Sequence, residues 1–195
     1  MIQKLERADL YSLENYAEVR SEFRNKVMKH KEDRRLKIGP SATLYFEDRM
    51  TIQYQIQEML RVERIFEAEG IQEELDAYNP LIPDGKNLKA TFMLEYDDPV
   101  ERKAILSKLV GIESKTWIKV EGFDKVIPVA DEDLERATEE KTSSVHFLRF
   151  ELTDDMIKGL QDGKLLAAGI DHEYYQHTVD PVPENFRLSL LKDLV

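Results

Sequence analysis

The sequence predicts an α+β fold: a single domain in which an antiparallel or mixed sheet packs with several helices. Three observations carry this reading. Leu88–Leu94 and Ser144–Leu152 alternate apolar and polar residues at period two, residues 49–69 form a helical stretch free of Gly and Pro, and the strands are few and partly linked as hairpins rather than each followed by a crossover helix. With 42% hydrophobic and 34% charged residues, the 195-residue chain can bury one core and is too apolar to remain disordered.

Taken in order, Ser12 can cap a helix from Leu13 to about Arg35, with Leu13, Tyr16, Ala17, Phe23 and Val27 on one side and Gly39-Pro40 ending it. Residues 1–37 then form a basic helical N-terminal arm. Ala42, Leu44 and Phe46 alternate with Thr43 and Tyr45 as a short strand. Asp48 caps the helix over 49–69, for which Gly70 supplies a left-handed terminator, and Ile71–Tyr78 adds a turn or two before Asn79-Pro80. Residues 81–87 read as a loop.

On the strand from Leu88, Leu88, Ala90, Phe92 and Leu94 share one face and Thr91, Met93 and Glu95 the other. Asp98-Pro99 opens a helix to about Val110, and Lys115–Val129 reads as a hairpin whose second arm Pro128 confines to an edge. Asp131–Lys141, acidic and poor in large apolar residues, reads as a solvated helix. Thr153 caps a short helix closed by Gly163, Leu165–Ile170 is a brief strand, Asp171–Phe186 is loop-like, and Pro183 starts a last helix that turns Phe186, Leu190, Leu191 and Leu194 inward.

Several function classes are excluded or demoted. There is no Cys, so no disulfide, thiolate nucleophile or thiolate-held cluster or zinc. No apolar run reaches the roughly 18–20 residues of a membrane span and the start lacks a signal core, so a cytoplasmic, membrane-free protein is expected. Ten Lys/Arg face seven Asp/Glu in residues 1–37, against eighteen and thirty-two in the remainder, and that acidic bulk argues against nucleic-acid binding. The phosphate-binding, dinucleotide, serine-hydrolase and zinc-protease motifs are absent, and no motif assigns a cofactor.

Glu63 is the residue singled out. At ~100° per residue from Ile52 it falls in the middle of the arc of Ile52, Ile56, Met59 and Phe66, so its carboxylate is expected to face the core and to need a counter-ion, a proton, a metal or a pocket. Arg20 and Arg24 are its candidate partners. A carboxylate/histidine site would join it to Glu58, Arg61, Arg64 and a histidine among His146, His172 and His177. Against this stand the plainer readings: a buried ion pair for Glu63, a hydrogen-bonded core histidine for His146, surface-loop histidines for His172 and His177, and a solvated basic surface for Arg24–Lys37.

The segments FEDRMTIQYQIQEMLRVERIFEAEGIQEELDAYNPLIP, LKATFMLEY and VHFLRFEL resemble an uncharacterised bacterial family, the domain of unknown function numbered three thousand five hundred and one, over nearly the whole chain. The resemblance brings no catalytic residues. It implies a gene neighbourhood of rubrerythrin and iron–sulfur oxidoreductases, and hence a cytosolic role near peroxide or oxygen defence. Two functions follow as expectations: an accessory or binding protein acting with a redox or peroxide-defence partner, or a metal-binding protein or enzyme with its site around Glu63.

Overall fold

Ser12 opens the first helix, α1 (Leu13–Glu32), where its hydroxyl oxygen accepts from the Asn15 N–H at 3.3 Å. The computed structural model describes residues 2–133, 136–138 and 141–195. α1 stops three residues short of the expected end, because Arg34 turns into the interior and Arg35–Ile38 becomes β1, antiparallel to β2 (Ala42–Glu47). Leu36 and Ile38 alternate into the core at 5% and 0% exposure, so the last residues of the expected helical arm are a sheet strand. Gly39 makes the turn at φ 74°, and a Cβ there would lie 2.4 Å from His177 Cδ2.

The second helix, α2 (Arg49–Glu63), begins in a capping box: Asp48 Oδ1 accepts from the Thr51 N–H and Thr51 Oγ1 accepts from the Asp48 N–H, both at 2.9 Å. It ends well before Gly70. Arg64 takes the left-handed conformation (φ 56°, ψ 42°), the Ile65 N–H reaches back to the Leu60 carbonyl at 2.9 Å, and a separate helix α3 (Ala68–Tyr78) follows. This is a six-to-one closure with Arg where Gly is usual, held by Ile65 packing with Leu60 in one apolar cluster. A left-handed L-residue costs about 1–2 kcal/mol, partly offset by the freedom Gly gains in the unfolded chain. Arg64→Gly is therefore expected to raise stability by about 0.5–1 kcal/mol in urea titration.

The remaining elements are β3 (Asn87–Leu94), α4 (Pro99–Leu106), β4 (Thr116–Val120), β5 (Lys125–Val126), β6 (Val129–Ala130), β7 (Val145–Glu151), α5 (Asp154–Gln161), β8 (Leu166–His172), β9 (Tyr175–Val179) and α6 (Glu184–Leu190). They complete an α+β fold with two antiparallel sheets, ordered β1-β2-β3-β7-β6 and β5-β4-β8-β9. Only Lys125–Val126 of the expected second hairpin arm pairs with β4. The chain then crosses at Ile127-Pro128, where the proline lacks an N–H to continue the ladder, and Val129–Ala130 joins β7 in the other sheet.

The expected histidine loop is also strand. β8 and β9 form a hairpin through Glu173–Tyr174, pairing Ile170 with His177 and His172 with Tyr175. β9 is an edge with mostly exposed side chains, which hides its alternation from a reading of hydrophobicity. Tyr175 fastens the two sheets: its hydroxyl donates to the Ile38 carbonyl at 2.8 Å and accepts from the Ser41 and Ala42 N–H groups at 3.0 Å each.

The larger core lies between the sheets and includes Leu44, Phe92, Phe150, Ile118 and Phe186; a smaller one joins Leu5, Ile52, Ile56, Leu60, Leu75 and Ile82 around α2 and α3. Among the described residues no helix is long and apolar enough to cross a membrane. Arg34, expected on a solvated surface, is 2% exposed. Its guanidinium donates to the Phe46, Glu47 and Ser189 carbonyls (3.0, 3.1 and 3.3 Å) and to Asp193, with Asp48 at 3.6 Å and His30 at 2.5 Å from Asp48. Burial pushes the Asp193 carboxyl up to about 6, outweighing the opposing Arg34.

Because folded Asp193 holds its proton more tightly than an unfolded Asp, its contribution to stability is full below about pH 4 and is lost as pH rises through about 6. Asp193→Asn is expected to flatten that part of the stability profile, which chemical denaturation at pH 4, 5, 6 and 7 would read.

Candidate functional site

The outer face of the five-stranded sheet carries three cross-strand rows over β2, β3 and β7. These are Thr43/Met93/Val145, Tyr45/Thr91/Phe147 and Glu47/Lys89/Arg149, set by the antiparallel register. Glu47 ties the start of α2 to this face: one carboxylate oxygen accepts from Thr91 Oγ1 at 2.8 Å and the other from Thr51 Oγ1 at 2.5 Å. α2 and α3 therefore stand over the sheet without filling the space beneath them. One cavity of about 450 Å³ lies among Met59, Glu74, Tyr78, Leu81, Lys89 and Phe147; a second of about 460 Å³ continues over Tyr45, Thr91 and Met93 and shares Tyr78, Leu81 and Phe147 with the first. Apolar walls of this extent are what ligand and peptide clefts offer.

Two lysines fix the lip of the cleft. Lys4 Nζ donates to the Asn79 and Ile82 carbonyls at 2.7 and 2.8 Å, and Lys89 Nζ donates to the Pro80 carbonyl, so the turn carrying Tyr78 and Leu81 is held from below. Burial lowers the Lys89 ammonium from the ordinary lysine range, Asp84 opposing and Arg149 assisting. Arg149 binds Glu132 bidentately (2.7 and 2.7 Å) and also Glu151, which raises Arg149 and holds Glu132 below the usual carboxylate range. On the opposite wall, burial raises the Glu74 carboxyl, with Glu63 and Glu73 adding like-charge repulsion.

The segment from Asp131 to Thr142 borders the cleft through Glu132 and Asp133. Its expected helix lies partly outside the described residues, and the described part contains no helical turn. His146, fully buried on β7, pins both ends: Nδ1 is 2.5 Å from Asp131 Oδ2, and Nε2 lies 2.8 Å from Thr142 Oγ1 and 3.1 Å from the Ser143 carbonyl. Asp131 sits at φ 52° and its other oxygen accepts from the Phe147 N–H at 2.9 Å. The Arg136 guanidinium lies 4.5 Å from the Phe147 ring centroid. Carboxylate, imidazole and hydroxyl stand in the order of a nucleophilic triad, but Thr142 is 1% exposed and His146 0%, so the arrangement serves as a latch.

The carboxylate/histidine site expected around Glu63 is not assembled. Glu63 is exposed, since α2 ends with it and the apolar stripe is covered only as far as Leu60; its angle on the helix is right and its position along the axis lies past the core. Phe66, in the same arc, is 69% exposed. Arg20 pairs with Glu58 instead: Glu58 accepts from Arg20 Nε (2.7 Å) and Nη2 (2.9 Å), from the Tyr16 hydroxyl (2.7 Å) and from Arg61 (3.2 Å). Arg64 is the exposed helix terminator.

His172 and His177 lie in the β8–β9 hairpin, on the other sheet. His172 Nε2 is 3.1 Å from the Val110 carbonyl while its Nδ1 accepts from the Tyr174 N–H (3.2 Å), and His177 packs on Gly39. Among the described residues no three His, Asp or Glu side chains are grouped to hold a metal ion.

The Glu58 clamp carries its own test. Chiefly through the Arg20 hydrogen bonds its carboxyl is lowered to about 2, below the unfolded value, so its contribution to stability is full above about pH 4.5 and is lost as pH falls through about 2. Glu58→Gln is expected to cost about 2 kcal/mol at pH 7, the scale of hydrogen bonds to a charged group, and less below pH 4. Thermal melts at the two pH values would show the difference.

No motif or spacing in the sequence marks Tyr78, Lys89, Phe147, Asp131 or Thr142 as site residues. The one available signal was that β7 is apolar on both faces, Phe147 and Val145 on one and Leu148 and Phe150 on the other, so both faces need cover.

Two antiparallel sheets, with a helical layer raised over one outer face to leave an apolar cleft, define the class of this α+β protein. The chain belongs to the family described as protein of unknown function (DUF3501), whose pattern matches residues 4–194. It is similar to a crystal structure of a novel protein of unknown function from Burkholderia pseudomallei K96243, with 48% identity, a TM-score of 0.94 and coverage of 99% of this chain and 100% of that one. Comparison with curated proteins gives no match.

Proposed function

We propose that this chain is a non-catalytic accessory protein that holds a partner in the cleft over its five-stranded sheet. The observation that carries the reading is the two-lobed apolar cavity meeting at Tyr78, Leu81 and Phe147, whose lip is fixed in advance by Lys4 and Lys89. A pre-organised apolar site loses little freedom on binding. The family resemblance set out above adds the class of partner, a redox or peroxide-defence protein.

Ala77 lines the cleft and is exposed, so Ala77→Trp fills the space without entering the core. Tagged full-length chain from native cells is expected to co-purify a redox or peroxide-defence protein in stoichiometric amount, and Ala77→Trp to lose it. Recovery of no such protein, or equal recovery with Ala77→Trp, would overturn the proposal.

A further inference from the structure

The charges around the cleft are unequally engaged. On the sheet side, Arg149 is ion-paired with Glu132 and Glu151, while Lys89 donates to the Pro80 carbonyl at the lip. On the α3 side, Glu74 and Asp76 line the same cavity. Among the described residues neither has a cation within ion-pair distance, Asp76 accepting only from Gln72 Nε2 at 2.8 Å. α3 contains Glu69, Glu73, Glu74 and Asp76 and no Lys or Arg. Its wall therefore faces the apolar floor with carboxylates that nothing described neutralises, one of them partly desolvated. An occupant that brought its own cation would relieve this wall, and one that brought a carboxylate would meet repulsion from both acids, with only the Lys89 ammonium at the lip to offset it.

Resting on the binding reading above, we infer that the occupant is a short segment of a partner protein that seats an aromatic or aliphatic side chain among Tyr78, Leu81 and Phe147 and sets an adjacent Arg or Lys against Glu74 and Asp76. The apolar anchor supplies the contact area, and the cation supplies selection among partners. The shared residues Tyr78, Leu81 and Phe147 mark where the anchor sits, because the two lobes meet there; Glu74 and Asp76 belong to the first lobe alone, which places the cation on that side of the anchor.

The test is selection of a random heptapeptide phage library on immobilised full-length chain, with parallel selections on Ala77→Trp and on the doubly neutralised Glu74→Gln/Asp76→Asn. Both acids lie outside the core, and circular dichroism of each variant checks that it folds. Selected peptides are expected to carry Arg or Lys next to an aromatic or aliphatic residue, to lose Ala77→Trp entirely and to bind the doubly neutralised variant about tenfold more weakly, with affinity falling as salt rises.

The outcomes separate the two readings. Selected peptides that bind wild type and Ala77→Trp equally would overturn the cleft and with it the inference. Peptides lost with Ala77→Trp but without an excess of basic residues, or insensitive to the double neutralisation, would overturn the cationic class and leave the cleft standing. A library with no enriched sequence would overturn the peptide occupant, while the co-purification experiment judges the binding function separately. Selection of the chain's own segments, with a concentration-dependent dimer in sedimentation, would assign the cleft to a second copy and overturn the inference.

Discussion

Arg34→Met is expected to destabilise the protein by about 3–5 kcal/mol at pH 7.5, the cost of removing one partner from a buried ion pair. The guanidinium is the donor for three backbone carbonyls from two segments, Phe46 and Glu47 at the end of β2 and Ser189 in α6, and it faces the carboxylates of Asp193 and Asp48. Met fills comparable volume and restores none of those bonds, so unsatisfied carbonyls and two like charges remain inside. At the scale of a chain of this length the melting temperature should fall by about 10 °C.

The loss carries a pH signature. Near pH 5 Asp193, pushed up to about 6 by burial, is largely protonated and no longer needs a cation, so the variant's deficit should shrink there. A deficit under 1 kcal/mol at pH 7.5, or one that grows on acidification, would show that Arg34 is not the keystone of this network.

His146→Leu is the second large effect, expected at about 3 kcal/mol. Leu has similar volume and removes the donors and acceptors on which Asp131, Thr142 and the Ser143 carbonyl depend, leaving Asp131 mostly buried beside an apolar group. Because the imidazole pins both ends of one segment, the damage should be local as well as global. Hydrogen exchange is expected to quicken at the Asp131 N–H, which donates to the Phe147 carbonyl at 2.8 Å, and at the Thr142 N–H, which donates to Leu106 at 3.1 Å, more than at the amides of β3. Uniform quickening throughout the sheet would instead mean that His146 acts only through packing. The segment bears Glu132 and Asp133 on the cleft rim, so the same variant should weaken any ligand held there.

Local chemistry was legible where the deciding contacts are close in sequence. Ser12, Asp48, Asp98 and Thr153 cap the helices that follow them because each accepts from an N–H two or three residues on, a geometry written into the spacing itself. The faces of β3 and β7 were legible for the same reason: alternation at period two placed Leu88, Ala90, Phe92 and Leu94 inside and put His146 among buried residues, hydrogen-bonded as the plainer reading had it.

The misplacement of Glu63 shows where such reading stops. A helical wheel reports angle and carries nothing about how far along the axis the partner surface extends; the surface here ends at Leu60, Arg64 reverses the chain, and the carboxylate reaches solvent. Arg34 errs in the opposite direction. Nothing near it in sequence distinguishes it from Lys31 or Lys37, and its burial depends on Asp193, 159 residues away.

The sequence by itself determined the fold class, the starts of the helices opened by Ser12, Asp48, Asp98 and Thr153, the inward faces of the main strands and the absence of any thiol chemistry, since all of these rest on composition or on contacts within a few residues. The tertiary structure alone decided which charges are buried, which carboxylate holds His146 and that a cleft lies between α2, α3 and the sheet. Those features arise where surfaces distant along the chain meet, and the free energy of a charge or a cavity is set by what stands opposite it rather than by its neighbours in sequence.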